Sequence, residues 1–286
     1  MIIYHTFGGR LGNQLFQAAF AATLARPGEW VFFTKMDHAL KLLPGAFKGG
    51  NYLSGWRYKL VDRSLVPFMI RPLVHHLRLF TLVREIPNTT QVEVRRGLIG
   101  GVRWIEGYFQ GEAFFDAQKI ANWCLNPELL DQAKKRLSAL VPPGRIPVAL
   151  HWRQGDYSNY EVLGEKNPTL PIAYFKTAIQ RIRALEPHPY FVIFSDEPEK
   201  VAELLDLDPG ERAVSRQPPE IDVLMMGFCR HLILSNSTLA WWAGFWGQGP
   251  GKKIFAPRYW LGWKKKIVYP PGIEPGFAES LDPISS

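Results

Sequence analysis

Cysteine is scarce in this chain of 286 residues, which contains only Cys124 and Cys229. Two cysteines cannot form the disulfide network that stabilises small secreted domains, so the fold must depend on a hydrophobic core. Long apolar runs are missing too, because "TLAWWAGFWG" is far shorter than the ~18 residues of a membrane span. The start, "MIIYHTFGGR", lacks a basic region followed by a long apolar stretch. We therefore expect a cytoplasmic protein, either free or at the inner face of a membrane.

Several motifs for nucleotides, metals and nucleophilic catalysis are also absent. No register of "GGRLGNQ" (residues 8–14) fits the dinucleotide pattern G-x-G-x-x-G, and the Gly-Lys-Ser/Thr of a P-loop does not occur. No Cys and His cluster has zinc-site spacing, and there is no Gly-x-Ser-x-Gly elbow. Asp206 and Asp208 could hold a divalent metal, but they precede Pro-Gly after a helical segment, which is typical of a helix-end turn. The sequence therefore predicts no metal site.

What is present is an alternation of strand and helix patterns. In the second half, strands are predicted for "IPVALHWR", "YFVIFSD", "HLILSN" and, as the last strand, "KKIFAP". Helices are predicted between them, for example "PIAYFKTAIQRIRAL" and "STLAWWAGFW". This order is typical of parallel α/β units. The Pro- and Gly-rich "LVPPGRIP" predicts a boundary, and hence two α/β domains, 1–142 and 143–286, with a cleft between them. Residues 45–105 show no clear pattern.

Positive charge is concentrated in the first half of the chain. The formal net charge is +8. Residues 1–140 hold 18 Lys and Arg against 10 Asp and Glu, whereas basic and acidic residues are equal in number in residues 141–286. A basic half fits an anionic ligand, a membrane surface or nucleic acid, and it also fits a simple role in solubility. Residues 59–87 mix basic and apolar residues at roughly helical spacing. They predict an amphipathic element packed within the first domain or, alternatively, a weak peripheral membrane contact.

The stretch "GGRLGNQ" is a predicted turn from strand to helix. Glycines such as Gly12 allow a ligand to approach the backbone closely, and Arg10 and Asn13 would project from the turn. The alternative is a tight turn in which Asn13 is the helix N-cap.

The stretch "ALHWRQGDY" (residues 149–157) brings three polar side chains to the end of a predicted strand. Alternation along a strand places Trp152 on one face and His151 and Arg153 on the other. Gly155 breaks the strand, and Asp156 follows at its carboxyl end, where ligands bind in open α/β sheets. The alternative is a structural salt bridge between Arg153 and Asp156.

The stretch "NSTLAWWAGFW" (residues 236–246) follows the predicted buried strand "CRHLILS". Ser237 and Thr238 would cap the next helix, whose free N–H groups and dipole favour an anion. A plain N-cap followed by core tryptophans is the alternative. Other polar residues at loop or helix edges of this half, each more often a cap when considered alone, are Ser195, Asp196 and Asp222.

Taken together, five stretches in order resemble the motifs of the α-1,2-fucosyltransferases. They are "GGRLGNQLFQAAFAATLA", "GYFQGEAFF" (residues 107–115), "HWRQGDY", "FSDEPE" and "DVLMMGFCRHLILSNSTLAWWAGF". The resemblance runs from residue 5 to about residue 260, although residues 45–100 contain no matching motif. It implies GDP-fucose as a co-substrate with no cofactor or metal, transfer to the 2-hydroxyl of a terminal galactose, and two facing Rossmann-like domains of the GT-B-like class.

The resemblance also implies roles for individual residues. His151 and Arg153 match a His-x-Arg motif in which the arginine binds the donor diphosphate. Asp222 matches an acidic residue that meets the guanine, and Ser237 and Thr238 match residues at the β-phosphate. Arg10 and Asn13 match residues at the fucose end, across the cleft in the first domain, which would also receive the acceptor. Other residues of these motifs that would bind the donor are Gly12, Ser195, Asp196 and Asn236.

Two points stay open at the level of sequence. Many relatives have a second arginine where this chain has Gln154, so one positive charge is missing. The base that accepts the proton of the acceptor hydroxyl could be Asp156, which could instead only orient Arg153, or Glu161 from the adjacent loop. The competing interpretations are the same fold with another GDP-sugar or linkage, and a basic module that binds nucleic acid or membranes. We expect no nucleic-acid partner.

Overall fold

Most strands in both halves of the chain are parallel, and in the second half they alternate with helices as the sequence predicts. The computed structural model describes residues 1–5, 9–51, 69–121 and 123–284, apart from the side chains of residues 48–51, 156 and 158. The chain divides into two units, Met1–Asn126 and Pro127–Ser286, and each has a six-stranded sheet.

The first unit has a mainly parallel sheet. Its strands are β1 Ile2–His5, β2 Trp30–Phe33, β3 Lys48–Asn51, β4 Thr81–Glu85, β5 Val92–Arg95 and β6 Arg103–Glu106. The helices described here are α1 Leu11–Leu24, α2 Asp37–Leu42, α3 Arg71–His75 and α4 Ala117–Ala121. The strand order is β3-β2-β1-β6-β4-β5, with only β4 and β5 antiparallel to each other. These short strands, β3 to β6, occupy the region whose pattern was unclear in the sequence.

The second unit has a fully parallel sheet and a small hairpin. Its strands are β7 Ile146–His151, β8 Glu161–Val162, β9 Glu165–Lys166, β10 Pro189–Phe194, β11 Arg212–Val214, β12 His231–Ile233, β13 Ile254–Pro257 and β14 Glu279–Leu281. Its helices are α5 Pro127–Leu140, α6 Ile172–Leu185, α7 Pro198–Leu204, α8 Pro219–Phe228 and α9 Thr238–Trp246. The sheet order β11-β10-β7-β12-β13-β14 is that of a Rossmann sheet. Strand β14 follows β13, which the sequence had predicted to be the last.

The predicted alternation along β7 is confirmed. Val148, Leu150 and Trp152 all lie in the hydrophobic core of the second unit. The Trp152 ring stacks on Phe175 of α6, with centroids 4.1 Å apart. A parallel sheet covered by helices buries both faces, so the polar residues of its strands are confined to the strand ends.

The boundary between the units falls earlier than the Pro- and Gly-rich stretch suggests. Helix α5 packs against α8 and therefore belongs to the second unit, although the predicted boundary at 142/143 assigns it to the first. The stretch itself makes a tight turn from α5 into β7, in which Gly144 has a φ of 78° and Arg145 N donates to Pro142 O. Proline and glycine here mark a turn within a unit rather than a linker between units.

The described part of the basic segment 59–87 is packed into the first unit; residues 59–68 lie outside the described residues. Helix α3 and strand β4 contribute Val74 and Leu82, which pack with Trp104. The segment is therefore not one amphipathic helix, and its described part favours the packing alternative. In the described part of the chain, no helix is both long and apolar enough to cross a membrane.

Candidate functional site

Polar side chains gather where β11, β10, β7 and β12 end. These four strands are neighbours in one parallel sheet, so their carboxyl ends meet at the same edge. After β7, the chain adds β10 and then β11 on one side of that strand, and afterwards β12, β13 and β14 on its other side. The strand order therefore reverses between β7 and β12. Ligands of open α/β sheets bind at such a reversal.

His151 is the last residue of β7 and joins that strand to the end of β12. Its Nδ1 lies 2.8 Å from Oγ of Ser235, and both residues are buried. Burial lowers the pKa of His151 to about 4, although the nearby Asp196 carboxylate acts in the opposite direction. The imidazole is therefore neutral near pH 7 and can act in a site as a hydrogen-bonding group without a charge.

Arg153 lies two residues beyond the end of β7 and is only 16% exposed at its side chain. Its Nη1 lies 3.4 Å from Oδ2 of Asp196, which follows β10. The guanidinium carbon also lies 6.0 Å from the centroid of the Tyr157 ring. A described partner of Arg153 is thus a carboxylate from the neighbouring strand. The predicted salt bridge with Asp156 stays a prediction, because the Asp156 side chain lies outside the described residues.

Ser195 and Asp196 hold the loop that carries Arg153. Ser195 Oγ donates to the Trp152 carbonyl at 2.7 Å. Asp196 Oδ1 accepts a hydrogen bond from the backbone N of Gln154 at 2.9 Å. A Cβ at Gly155 would lie 2.4 Å from Asp196 Oδ2, so the glycine allows this close approach. The geometry gives both residues a positioning role, since they orient the backbone around Arg153.

Helix α9 begins beside this loop. Tyr157 Oη donates to the Asn236 carbonyl at 2.7 Å. The side chain of Asn236 is buried, donates through Nδ2 to Pro168 O at 2.8 Å, and has no partner for Oδ1 among the described residues. Ser237 occupies the N-cap position without a side-chain capping bond, and Thr238 is the first helical residue. The Ser237 hydroxyl is therefore not committed to capping, and the first N–H groups of the helix have no acceptor within it.

Asp222 lies in the first turn of α8, next to the end of β11. Ser215 Oγ donates to its Oδ1 at 2.5 Å. Burial raises the pKa of Asp222 to about 7, while the hydrogen bond from Ser215 acts to lower it. A half-protonated carboxyl at neutral pH gains its charge readily when a ligand offers hydrogen-bond donors.

The two candidate bases lie on the chain that follows Arg153. Asp156 belongs to the 3₁₀ turn Gly155–Asn159, and its side chain lies outside the described residues. Glu161 begins strand β8, has an exposed side chain, and is opposite Lys166 in the hairpin with β9. The choice between Asp156 and Glu161 stays open.

The candidates in the first unit lie at the start of α1. Arg10 is the exposed N-cap residue, and the helix already includes Gly12 and Asn13. Two predictions were therefore wrong: Gly12 is a buried residue of the helix rather than part of the loop, and Asn13 is not the N-cap. Helix α1 begins at Leu11, earlier than the sequence suggested, because the buried Leu11 side chain anchors its first turn. Asn13 Oδ1 instead accepts a hydrogen bond from Gln110 Nε2 at 2.9 Å.

The predicted helix-end turn at Asp206 and Asp208 is confirmed. Asp208 Oδ1 accepts from Gly210 N at 2.6 Å and caps the turn Pro209–Glu211. Asp206 has a φ of 51°, in the left-handed region. Within the described residues, no group of three or more His, Cys, Asp and Glu side chains could hold a metal ion.

Sequence reasoning missed two residues of this site, Ser235 and Ser215. Each is the partner of a predicted residue, His151 and Asp222 respectively. Ser235 directly precedes the predicted "NST" and ends a buried strand, and that position was a signal that could have identified it. Ser215 follows a strand of only three residues, which the sequence pattern did not reveal.

A protein-family model matches residues 118–260, which is half of the chain and lies almost entirely in the second unit. The model is described as "Glycosyl transferase family 11". The matched segment contains His151, Arg153, Asp222 and the start of α9.

Known relatives are similar to this chain at low identity. An alpha-1,2-colitosyltransferase of Escherichia coli is 24% identical over 281 residues, which cover 91% of this chain and 92% of that protein. Galactoside alpha-(1,2)-fucosyltransferase 1 of Bos taurus is 28% identical over 138 residues, covering 45% and 38% respectively. For two further relatives the match covers 61% and 62% of their length, so this chain spans less than two thirds of several relatives.

The solved structure of POFUT1 in complex with GDP is also similar. Its TM-score is 0.51 at 15% identity, over 89% of this chain and 97% of that chain. At such identity the likeness concerns the fold alone. It confirms the predicted two-domain α/β fold of the GT-B-like class.

Proposed function

This chain belongs to glycosyl transferase family 11, and on that premise we propose that it transfers L-fucose from GDP-β-L-fucose to the 2-hydroxyl of a terminal galactose. The observation that carries the proposal is the cluster of Arg153, neutral His151 and the start of α9 at the reversal of the strand order. All three parts lie in the segment that matches the family. The galactoside fucosyltransferase of Bos taurus supports the acceptor.

The chemistry needs stabilisation of a leaving diphosphate. The bond between fucose C1 and the β-phosphate oxygen breaks with its electron pair going to GDP, and the acceptor oxygen forms a new bond to C1. The Arg153 guanidinium and the N–H groups at the start of α9 would stabilise the charge that grows on the diphosphate. These groups are fixed before reaction by Asp196 and by the helix itself, so little reorganisation is needed.

Other residues would hold the donor or take the proton. Asp222, with its raised pKa, would accept hydrogen bonds from the guanine edge and gain its charge as it does so. Asp156 or Glu161 would accept the proton of the acceptor hydroxyl late in the displacement. A single displacement inverts the anomeric centre, so a β-linked donor would yield an α-fucoside. In this proposal no metal takes part.

A second candidate is the same reaction with another GDP-sugar. The observation that favours it is the similarity to the alpha-1,2-colitosyltransferase, which extends over 91% of this chain. Both candidates use the same diphosphate and guanine contacts, so they differ only at the sugar.

The test is an incubation with several GDP-sugars, UDP-sugars and galactosides, followed by product mass and NMR. We expect an α-L-fucosyl residue on O2 of galactose, formed at the same rate in excess EDTA. Preference for GDP-colitose would select the second candidate. A β-fucoside, a preference for a UDP-sugar, or activity lost in EDTA and restored by Mn²⁺ or Mg²⁺ would contradict the proposal.

A further inference from the structure

Two neighbouring turns of the first unit expose aliphatic side chains to solvent. Leu77 follows α3 and is 60% exposed, whereas Leu98 and Ile99 follow β5 and are 80% and 45% exposed. A single exposed leucine is ordinary in a folded protein. Three aliphatic residues on adjacent turns form a patch of the kind that marks a contact surface.

The two turns are held together by their backbones. Leu98 N donates to Arg78 O at 2.8 Å, and Ile99 N donates to Leu79 O at 2.7 Å. Gly97 makes this approach possible, because a Cβ there would lie within 2.7 Å of backbone atoms of the facing turn. The aliphatic side chains are therefore presented by a defined backbone arrangement rather than by two independent loops.

The two chain segments that carry this patch have charge of a single sign. Residues 69–84 and 94–105 contain no Asp or Glu. Arg78 and Arg96 are exposed and form no ion pair with any described residue, and the exposed His76 adjoins them. The two arginines take no part in the described core of this region, which is formed by Val74, by Leu82 and by Trp104.

We propose that this surface docks the protein on an anionic lipid bilayer. We call it the basic apolar surface and define it as His76, Leu77, Arg78, Arg96, Leu98 and Ile99. The aliphatic tips enter the headgroup region, and the arginines contact lipid phosphates, so each kind of residue has a partner in the same membrane. The surface differs from the amphipathic helix considered for residues 59–87, because it is built from two turns and includes residues after β5.

Two other occupants fit this surface less well. A second copy of the chain meeting it about a twofold axis would bring like-charged arginines together. Nucleic acid would satisfy the arginines but would offer no apolar environment for Leu98, which is the most exposed large hydrophobic residue described. An anionic bilayer offers both negative charge for the arginines and an apolar environment for Leu98.

Vesicle flotation of the full chain tests the proposal. Vesicles of phosphatidylcholine with about a third phosphatidylglycerol are compared with pure phosphatidylcholine, at low and high salt. We expect binding to the anionic vesicles at low salt and release at high salt. The double variants Leu98→Ser/Ile99→Ser and Arg78→Gln/Arg96→Gln should each lower the partition coefficient by about tenfold or more.

Matched controls come from the second unit, where Leu185 and Arg136 are exposed on helices. Leu185→Ser and Arg136→Gln should bind vesicles as the unsubstituted protein does. Absence of binding to anionic vesicles, equal binding to neutral ones, or an equal loss in the controls would overturn the proposal. So would sedimentation showing a dimer that the Leu98→Ser/Ile99→Ser variant loses, or tighter binding to single-stranded DNA than to the vesicles.

Discussion

At the scale of single residues, Arg153 shows how a charge is held ready for a ligand. Its guanidinium is mostly buried, and its backbone loop is fixed through Asp196 and Ser195. An arginine presents a planar fork that can bind two phosphate oxygens at once, whereas a lysine presents a point charge. Arginine and lysine could both pair with Asp196, but only arginine could bind two phosphate oxygens at once. A substitution by lysine therefore separates the ion pair from the binding of phosphate.

We predict that Arg153→Lys lowers kcat/KM for transfer to a galactoside by roughly 10²–10³, because one preorganised donor to the leaving group is removed. The melting temperature should stay nearly unchanged, since lysine keeps the charge beside Asp196. Steady-state kinetics and thermal unfolding of one preparation provide both numbers. Arg216→Lys, at an exposed arginine paired with Glu199, is the matched control and should have no effect. Near-normal turnover of Arg153→Lys would rule out a diphosphate clamp.

Asp222 should make stability depend on pH. Its pKa is about 7 in the folded state against a usual value of 3.8, so the folded protein retains a proton that the unfolded chain has lost between these values. The free energy of unfolding contributed by this group therefore falls as pH rises from about 4 to about 7, and is constant above that. Asp222→Asn should remove this slope, because asparagine keeps an oxygen for Ser215 but does not titrate.

Denaturant unfolding at several pH values checks this, with the difference between the two proteins as the readout. His151, whose lowered pKa acts with the opposite sign, is present in both proteins and cancels in that difference. Asp131→Asn, at an exposed carboxylate on α5, serves as a control and should leave the slope intact. Parallel pH curves for Asp222→Asn and the unsubstituted protein would contradict the assignment.

At the scale of elements, the position of α9 depends on its contact with α8. Gly247 ends α9, and a Cβ there would lie 3.1 Å from the Cα of Gly227 in α8 and 2.6 Å from the Ala243 carbonyl. The two helices thus meet backbone to backbone. The end of α9 is held in place by this packing, and its middle by the hydrogen bond from Trp241 Nε1 to Ile273 O.

We predict that Gly247→Ala lowers the free energy of unfolding by ~1–3 kcal/mol, because the added methyl group must push the helices apart. In a chain of this size that corresponds to a fall of several degrees in melting temperature. Gly249→Ala is the matched control, since its nearest neighbours are side-chain atoms of Lys252 at 3.8 Å, and it should change stability by less than ~0.5 kcal/mol. Equal melting temperatures for the two variants would show that α8 and α9 have room to adjust.

At the scale of the whole molecule, the two units differ in what they contribute. The segment that matches the family lies almost entirely in the second unit and includes the polar strand ends. The first unit contains most of the excess positive charge, and part of it lies in the basic apolar surface. In our two proposals, the donor chemistry therefore belongs to the second unit and the contact with lipid to the first.

The sequence by itself determined the alternation of elements and most of the polar residues at the strand ends. Buried parallel strands appear in the sequence as apolar runs. Where such a run changes to polar residues, as at "HWRQGDY" and "SNST", the carboxyl end of the strand can be located. His151, Arg153 and Ser237 could be found in this way, whereas Asp222 lies in the first turn of a helix and was singled out by the resemblance to the family. The turn at Asp208 could also be predicted from the sequence, because Pro-Gly after a helix strongly favours a turn.

Only the tertiary structure decided which of these residues meet. The order of strands in the sheet places β10 and β12 on either side of β7, so Arg153 pairs with Asp196 and His151 with Ser235, each from a neighbouring strand. The domain boundary and the packing of α5 against α8 also became clear only from the tertiary structure. Hydrophobic periodicity reports whether a residue is buried, but the lateral order of strands depends on contacts far apart in the chain, which no local pattern encodes.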